Sequence, residues 1–152
     1  MKTLVILSHP DIENSRINKT WKKELENHPE EIQIHELYKE YPDWNIDVKK
    51  EQELLEKYDK IILEFPIYWY NCPPLLKKWL DEVWTFGWAY GPEGNELRGK
   101  RIGLAVSAGG LETNYTLPLA EILSPFKASI NYVSAEFASY FVLFGTVHDL
   151  SD

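Results

Sequence analysis

The chain has 152 residues, a net charge of −8, 44% apolar and 26% charged residues, and one cysteine. That length suits one domain with a full core, and the balance of apolar and charged residues excludes disordered and fibrous classes. An acidic chain with no block of Lys and Arg repels phosphate backbones, so no nucleic-acid partner is expected. Cys72 alone excludes an intrachain disulfide framework and a CxxC metal site, and no metal site is expected. The apolar run at 3–8 is too short for a signal sequence, and no stretch approaches the ~20 apolar residues of a membrane span. The cytoplasm is the expected location.

Along the chain, "TLVILS" (3–8) is a continuous aliphatic run, the pattern of a strand buried on both faces. Turn chemistry follows, and Asn14 or Ser15 caps a predicted helix to about Asn27 with Ile17, Trp21 and Leu25 on its inner side. "EIQIHEL" (31–37) alternates like a strand near a sheet edge, residues 38–46 read as a loop, and Asp47 caps a charged helix to about Tyr58. The charges of 47–60 read as a solvated face. "KIILEF" (60–65) is a second buried strand. Leu75, Leu76, Trp79, Leu80, Val83 and Trp84 then recur at helical spacing. "RIGLAVS" (101–107) is a third buried strand, ending at Ala108-Gly109-Gly110. A helical region spans roughly 117–133, interrupted at Pro125 with Ser124 capping its second segment, and "YFVLFG" (140–145) is the last strand. Ser151-Asp152 would cap one more helix, which is expected to be missing. The alternation predicts a single α/β domain over 1–152, with a parallel sheet covered by helices on both faces.

In such a sheet, ligands bind beyond the carboxyl ends of the strands. The three buried strands end in "SHP" (8–10), "FPIYWYN" (65–71) and "SAGG" (107–110). The first precedes a helix N-terminus with Ser8, His9, Asn14, Ser15, Arg16 and Asn18 nearby, a setting that suits a phosphate. It lacks glycine, so it is neither a Walker loop nor GxGxxG. The second loop offers flat side chains on a backbone stiffened by Pro66, Pro73 and Pro74. The third offers bare backbone. Together they fit a flat, phosphorylated cofactor, and flavin better than nicotinamide alone.

"SHP…NS…N", "FPIYWYNCPPLLKKWLDEVWTFGWAYGPEG", "LRGKRIGLAVSAGG" and "ILSPF" resemble the flavodoxin-like NAD(P)H:quinone oxidoreductase family over nearly the whole chain. That family includes mammalian quinone reductase, bacterial modulators of drug activity, and the ancillary oxidoreductases of potassium-efflux systems. The resemblance implies a three-layer sandwich on a five-stranded parallel sheet of order 2-1-3-4-5. It also implies a homodimer holding FMN or FAD (FMN preferred for a chain this short) and two-electron hydride transfer from NAD(P)H through flavin N5 to a quinone. By match to the motifs, His9, Ser15, Arg16 and Asn18 hold the flavin phosphate and ribityl chain. Pro66, Ile67, Tyr68, Trp69 and Tyr70 line the ring, and Ser107, Ala108, Gly109 and Gly110 lie at its pyrimidine end. The N–H groups of Gly109 and Gly110, with Tyr115, are the candidate catalytic groups, Tyr115 also touching the cofactor. Trp69, Tyr70, Trp88 and Tyr90 are the candidate substrate contacts, Tyr90 reaching across from a partner subunit.

Two departures stand out: Ser107-Ala108 replaces a pair of threonines, and Glu121 stands where a histidine follows the catalytic tyrosine. A flavodoxin-type electron carrier and a flavin-binding regulatory subunit of a transporter are the competing readings. Trp79, Val83 and Trp84 read as packing residues whose broad stripe also serves a dimer through 75–90. Cys72 reads as a buried neighbour of the turn, and His28, His35 and His148 need no function.

Overall fold

The computed structural model describes residues 2–146. Its five strands are β1 (Thr3–Leu7), β2 (Ile32–Glu36), β3 (Lys60–Pro66), β4 (Arg101–Ser107) and β5 (Glu136–Leu143). They form one parallel sheet in the order β2-β1-β3-β4-β5, the order expected. Six α-helices accompany them: α1 (Arg16–Leu25), α2 (Leu37–Glu40), α3 (Val48–Glu56), α4 (Pro74–Val83), α5 (Leu119–Ile122) and α6 (Ser124–Tyr132). The chain end at Ser151-Asp152, where a last helix is expected to be missing, and His148 lie outside the described residues.

The aliphatic runs become the three central strands because most of their side chains, on both faces, leave water. One face carries the core: Leu4, Ile6, Leu63, Phe65, Ile102, Leu104 and Val106 pack against Leu55, Leu75, Leu76, Trp79, Phe126 and Ile130 from α3, α4 and α6. The rings of Phe65 and Phe126 stand 5.1 Å apart. On the other face Val5 and Leu7 are buried, and α1 bonds Ser107 through Asn18 and reaches Phe141 through Trp21 at 5.7 Å. Beside α1 this second face forms an open groove of about 340 Å³ over β4 and β5, lined by Ile62, Gly103, Ala105, Ser139 and Phe141 among others.

Caps account for two helix starts. Ser15 Oγ accepts from the Asn18 N–H at 3.1 Å and Asp47 Oδ1 from the Lys50 N–H at 3.1 Å, each satisfying a first-turn donor. Asn14 instead donates to Asp11 Oδ2. Pro74 opens α4, where its missing N–H costs nothing.

Three expectations need correction. Residues 38–46 are not all loop, because Leu37, fully buried, pins the short helix α2. Ser124 is the first residue of α6 and not its cap: its hydroxyl donates back to the Glu121 carbonyl, and Pro125 sits within the new helix's first turn. The last strand begins at Glu136, not Tyr140, because it extends alongside Arg101 and Ile102, with a register shift between Ile102 and Leu104. At Gly103 in that shift, a Cβ would come within 3.1 Å of the Ser139 carbonyl oxygen.

Candidate functional site

β1 pairs with β2 on one side and β3 on the other, so the switch of strand order falls where β1 and β3 end. After β3 the chain turns sharply. The Tyr68 N–H donates to the Asn71 carbonyl at 2.8 Å and the Asn71 N–H donates back at 3.0 Å. Between them Trp69 (φ 46°) and Tyr70 (φ 63°) both occupy the left-handed region. A two-residue turn of this hand normally takes Asn and Gly, since side chains there crowd the backbone. Here two large aromatics sit in it, and Trp69 is 94% exposed. Strain of this kind persists where surrounding structure imposes it, and it collects at functional sites. The Ile67 N–H bonded to the Ser107 carbonyl, the Asn71 side chain bonded to the Cys72 N–H, and Pro73-Pro74 hold the turn.

Facing the turn is the loop after β4. Ile67, Tyr68, Trp69, Tyr70, Gly109, Gly110, Asn114 and Tyr115 enclose a cleft of about 620 Å³. Tyr70 and Tyr115 meet edge to face at 5.8 Å, and Tyr115 is backed by Phe144 at 5.6 Å. Burial, reinforced by Tyr70, pushes the Tyr115 phenol above its ordinary pKa, so it stays protonated and able to donate. The Ala108 N–H is spent on the Leu143 carbonyl, whereas the N–H groups of Gly109 and Gly110 have no partner among the described residues. A Cβ on Gly110 would stand 3.5 Å from the Tyr115 ring, in ordinary contact. Neither packing nor a positive φ requires glycine there, and the bare backbone is left facing the cleft.

The first loop lies alongside. Asn18 is 2% exposed, and its Nδ2 donates to Ser107 Oγ at 2.9 Å, tying the start of α1 to the end of β4. Asn18 Oδ1 is buried without a donor. Ser15 is spent on the helix cap and Arg16 is exposed at its start. His9 sits in a neighbouring recess of about 330 Å³ with Asp11, Lys22, Glu36 and Tyr38 among its walls, and touches the aromatic turn through Tyr68 at 6.5 Å. Burial lowers the His9 pKa against the opposing pull of Asp11, and its Nδ1 accepts from the Asp11 N–H, so Nε2 carries the proton. Pro66, Ser107 and Ala108 are buried at the strand ends beneath the cleft.

Trp88 and Tyr90 do not line this cleft within one chain. Trp88 Nε1 donates to Glu56 at 2.8 Å, and Tyr90 packs on Tyr132 and Phe86. Cys72 is buried beside the turn, where desolvation pushes its thiol up to about 11 and leaves it unreactive.

Residues 47–60 are not a wholly solvated face. Glu51 is fully buried and gathers His35 Nε2 at 2.7 Å, Tyr41 OH at 2.9 Å and Trp79 Nε1 at 2.9 Å. His35 therefore has a structural partner. Motif reading also passed over Asn114 and Glu64. For Glu64 a signal existed: a carboxyl inside the apolar run "KIILEF".

The model of a family described as having a flavodoxin-like fold matches residues 1–152. The uncharacterized NAD(P)H oxidoreductase YrkL of Bacillus subtilis is 45% identical, covering 97% of this chain and 88% of the relative. A solved general stress protein 14 from Treponema denticola in complex with FMN aligns with a TM-score of 0.93 at 45% identity, covering 95% of this chain and 86% of that one. An NADPH-quinone reductase from P. pentosaceus aligns with a TM-score of 0.86 at 32% identity, covering 95% and 86%.

Proposed function

The chain belongs to the flavodoxin-like family, and from that premise we propose that it is an FMN-dependent NAD(P)H oxidoreductase acting on quinones. The observation that carries this reading is the cleft between the strained aromatic turn and Gly109-Gly110. It is flat-walled, floored by bare amides, and of a volume suited to a small cofactor. When bound, FMN supplies the capacity to take a hydride from NAD(P)H and pass two electrons on.

The chain's own residues bind, orient and polarise. Pro66, Ile67, Tyr68, Trp69 and Tyr70 hold the ring, and their turn geometry fixes its plane at low entropic cost. The Gly109 and Gly110 N–H groups stabilise negative charge at its pyrimidine end, as oriented backbone donors do at a developing anion. Tyr115 OH donates to the substrate oxygen. At the other end, Asn18, Ser15, Arg16 and His9 would hold the phosphate near the α1 N-terminus. The accessible backbone at Gly110 supports this fit.

The active form we propose is a homodimer. Phe86 (68% exposed) and Tyr132 (70% exposed) flank the half-buried Leu80, Trp84 and Tyr90, an apolar patch beside α4. Pairing there would bring Trp88 and Tyr90 toward the partner's cleft, where they would contact the substrate. The direct test is a visible spectrum of the purified protein with identification of the released flavin, followed by NAD(P)H-dependent reduction of a quinone. A colourless protein that takes up neither FMN nor FAD would defeat the reading.

A further inference from the structure

Among the described residues four buried side-chain polar atoms lack a partner: Ser8 Oγ, Asn18 Oδ1, Glu64 Oε2 and Trp84 Nε1. Three of them gather at the site's end of the sheet, where β1 ends, α1 starts and β3 approaches its last residue. Buried polar atoms without partners are rare and call for a reason. The pair Asn18 and Glu64 has one.

Glu64 is 2% exposed. In the ladder it stands beside Leu7 and Ala105, and Pro66, two residues on, stands beside Ser107. Side chains two apart on a strand share a face, so Glu64 and Ser107 lie on the α1 side, one strand and two residues from each other. Strand geometry puts their Cα atoms roughly 8 Å apart. Asn18 bonds Ser107 through its Nδ2 on this side of the sheet, and its Oδ1 is left there as a buried acceptor without a donor. An ionised Glu64 would offer it only another acceptor. A protonated Glu64 carries an O–H donor of the kind that Asn18 Oδ1 lacks.

The surroundings favour the proton. On the same row of the sheet β1, β4 and β5 present the uncharged Leu7, Ala105 and Phe141, and β2 presents Glu36 on the far side of Leu7. α1 carries Arg16, Lys19, Lys22, Lys23 and Glu24; Lys19 Nζ is bonded to Glu13 at 2.9 Å and Lys22 Nζ to Glu36 of β2 at 3.0 Å. His9 lies in the loop beyond. Burial alone, with no neighbouring charge opposing it, lifts the Glu64 carboxyl to about 8.

We propose that Glu64 is a neutral carboxylic acid whose O–H donates to Asn18 Oδ1, completing a Glu64–Asn18–Ser107 clamp that positions the start of α1 beneath the cofactor's phosphate. Its functional consequence rests on the FMN reading above. Glu64 is a positioning residue and touches neither cofactor nor substrate. Ionising it removes the donor, sets two acceptors face to face, and adds a negative charge near a phosphate dianion. FMN retention therefore falls as pH rises through the Glu64 titration.

The test compares the full chain with Glu64→Gln, whose Nε2 restores the donor, and Glu64→Met, which keeps the bulk without it. Carbon NMR of the carboxyl groups should find one signal titrating near pH 8 in the wild type and missing in Glu64→Gln. FMN affinity, read from quenching of flavin fluorescence, should weaken about tenfold from pH 7 to 9.5 in the wild type and stay level in Glu64→Gln. Glu64→Met should bind about tenfold more weakly at every pH, the effect of one unmet buried acceptor. A Glu64 signal titrating below pH 6, or a Glu64→Gln protein as impaired as Glu64→Met, overturns the proposal. Should Glu64→Met fail to fold, the Gln comparison and the NMR titration decide. Should no FMN bind at any pH, the cofactor reading fails, and urea unfolding of the apoprotein decides the clamp. It stands if the wild-type midpoint drops between pH 4.5 and 8 relative to Glu64→Gln, and falls if the two curves run parallel.

Discussion

Trp69 and Tyr70 pose a trade between stability and binding. Each left-handed residue with a side chain costs roughly 1 kcal/mol, so Tyr70→Gly should stabilise the apoprotein by about that amount in urea unfolding. The same change removes the Tyr70 ring from Tyr115 and the cleft wall, so FMN affinity should drop although the fold gains. Gly110→Ala separates the two effects from the other side. Its Cβ meets only ordinary contacts, so the unfolding midpoint should hold within about 0.5 kcal/mol. FMN binding should weaken about tenfold as the methyl group intrudes on the bare amides. Tyr115→Phe should leave flavin content unchanged while lowering the rate of quinone reduction, because only the donating O–H is lost. An unchanged rate would remove Tyr115 from the proposed chemistry.

Among the elements, the buried carboxylate of Glu51 matters most. It joins β2 through His35, the end of α2 through Tyr41, and α4 through Trp79, with α3 as their common post. Its burial and hydrogen bonding also drive the Tyr41 phenol far above its ordinary pKa. Removing one partner of such a buried, bonded charge cluster strands the others. Glu51→Ala should cost about 3 kcal/mol or more in urea unfolding, whereas Trp79→Phe, which keeps the bulk and removes one donor, should cost about 1 kcal/mol. Because α4 starts where the aromatic turn ends, loosening Trp79 should also lower FMN affinity without a change in any cleft residue.

At the scale of the whole molecule, Glu64 gives the pH profile an uncommon sign. Its folded pKa of about 8 lies above the ordinary 4.5, so the folded state holds more protons than the unfolded state between those values. Stability from this group is full below about pH 4.5, declines as pH rises to about 8, and is level beyond. The loss by neutral pH is on the order of 3 kcal/mol, which Glu64→Gln should restore. Glu13, Glu40 and Asp43, held low by Lys19, Lys50 and Asn45, act in the opposite direction at acid pH, but they are exposed and weak. Phe86→Asp with Tyr132→Asp should convert the proposed dimer to a monomer in sedimentation, since like charges would be buried unpaired at the face.

The strands β1, β3 and β4 were legible in the sequence because burial on both faces leaves only aliphatic choices. The Ser15 and Asp47 caps were legible because capping is local. So were the three loops at the carboxyl ends of the strands, since strand ends and glycines mark themselves. What tertiary structure alone decided has partners far away in the chain. Ladder pairing with Arg101 extended β5 back to Glu136, past a sequence that alternates poorly. Core burial of Leu37 made α2 a helix without a cap. Glu51 looked like one charge on a solvated helix because His35, Tyr41 and Trp79 are remote in sequence. The aromatics of 68–70 announced a flat-walled site by their composition. Their left-handed backbone came from the packed strands and prolines on either side, which hold the turn in a conformation that its own residues disfavour.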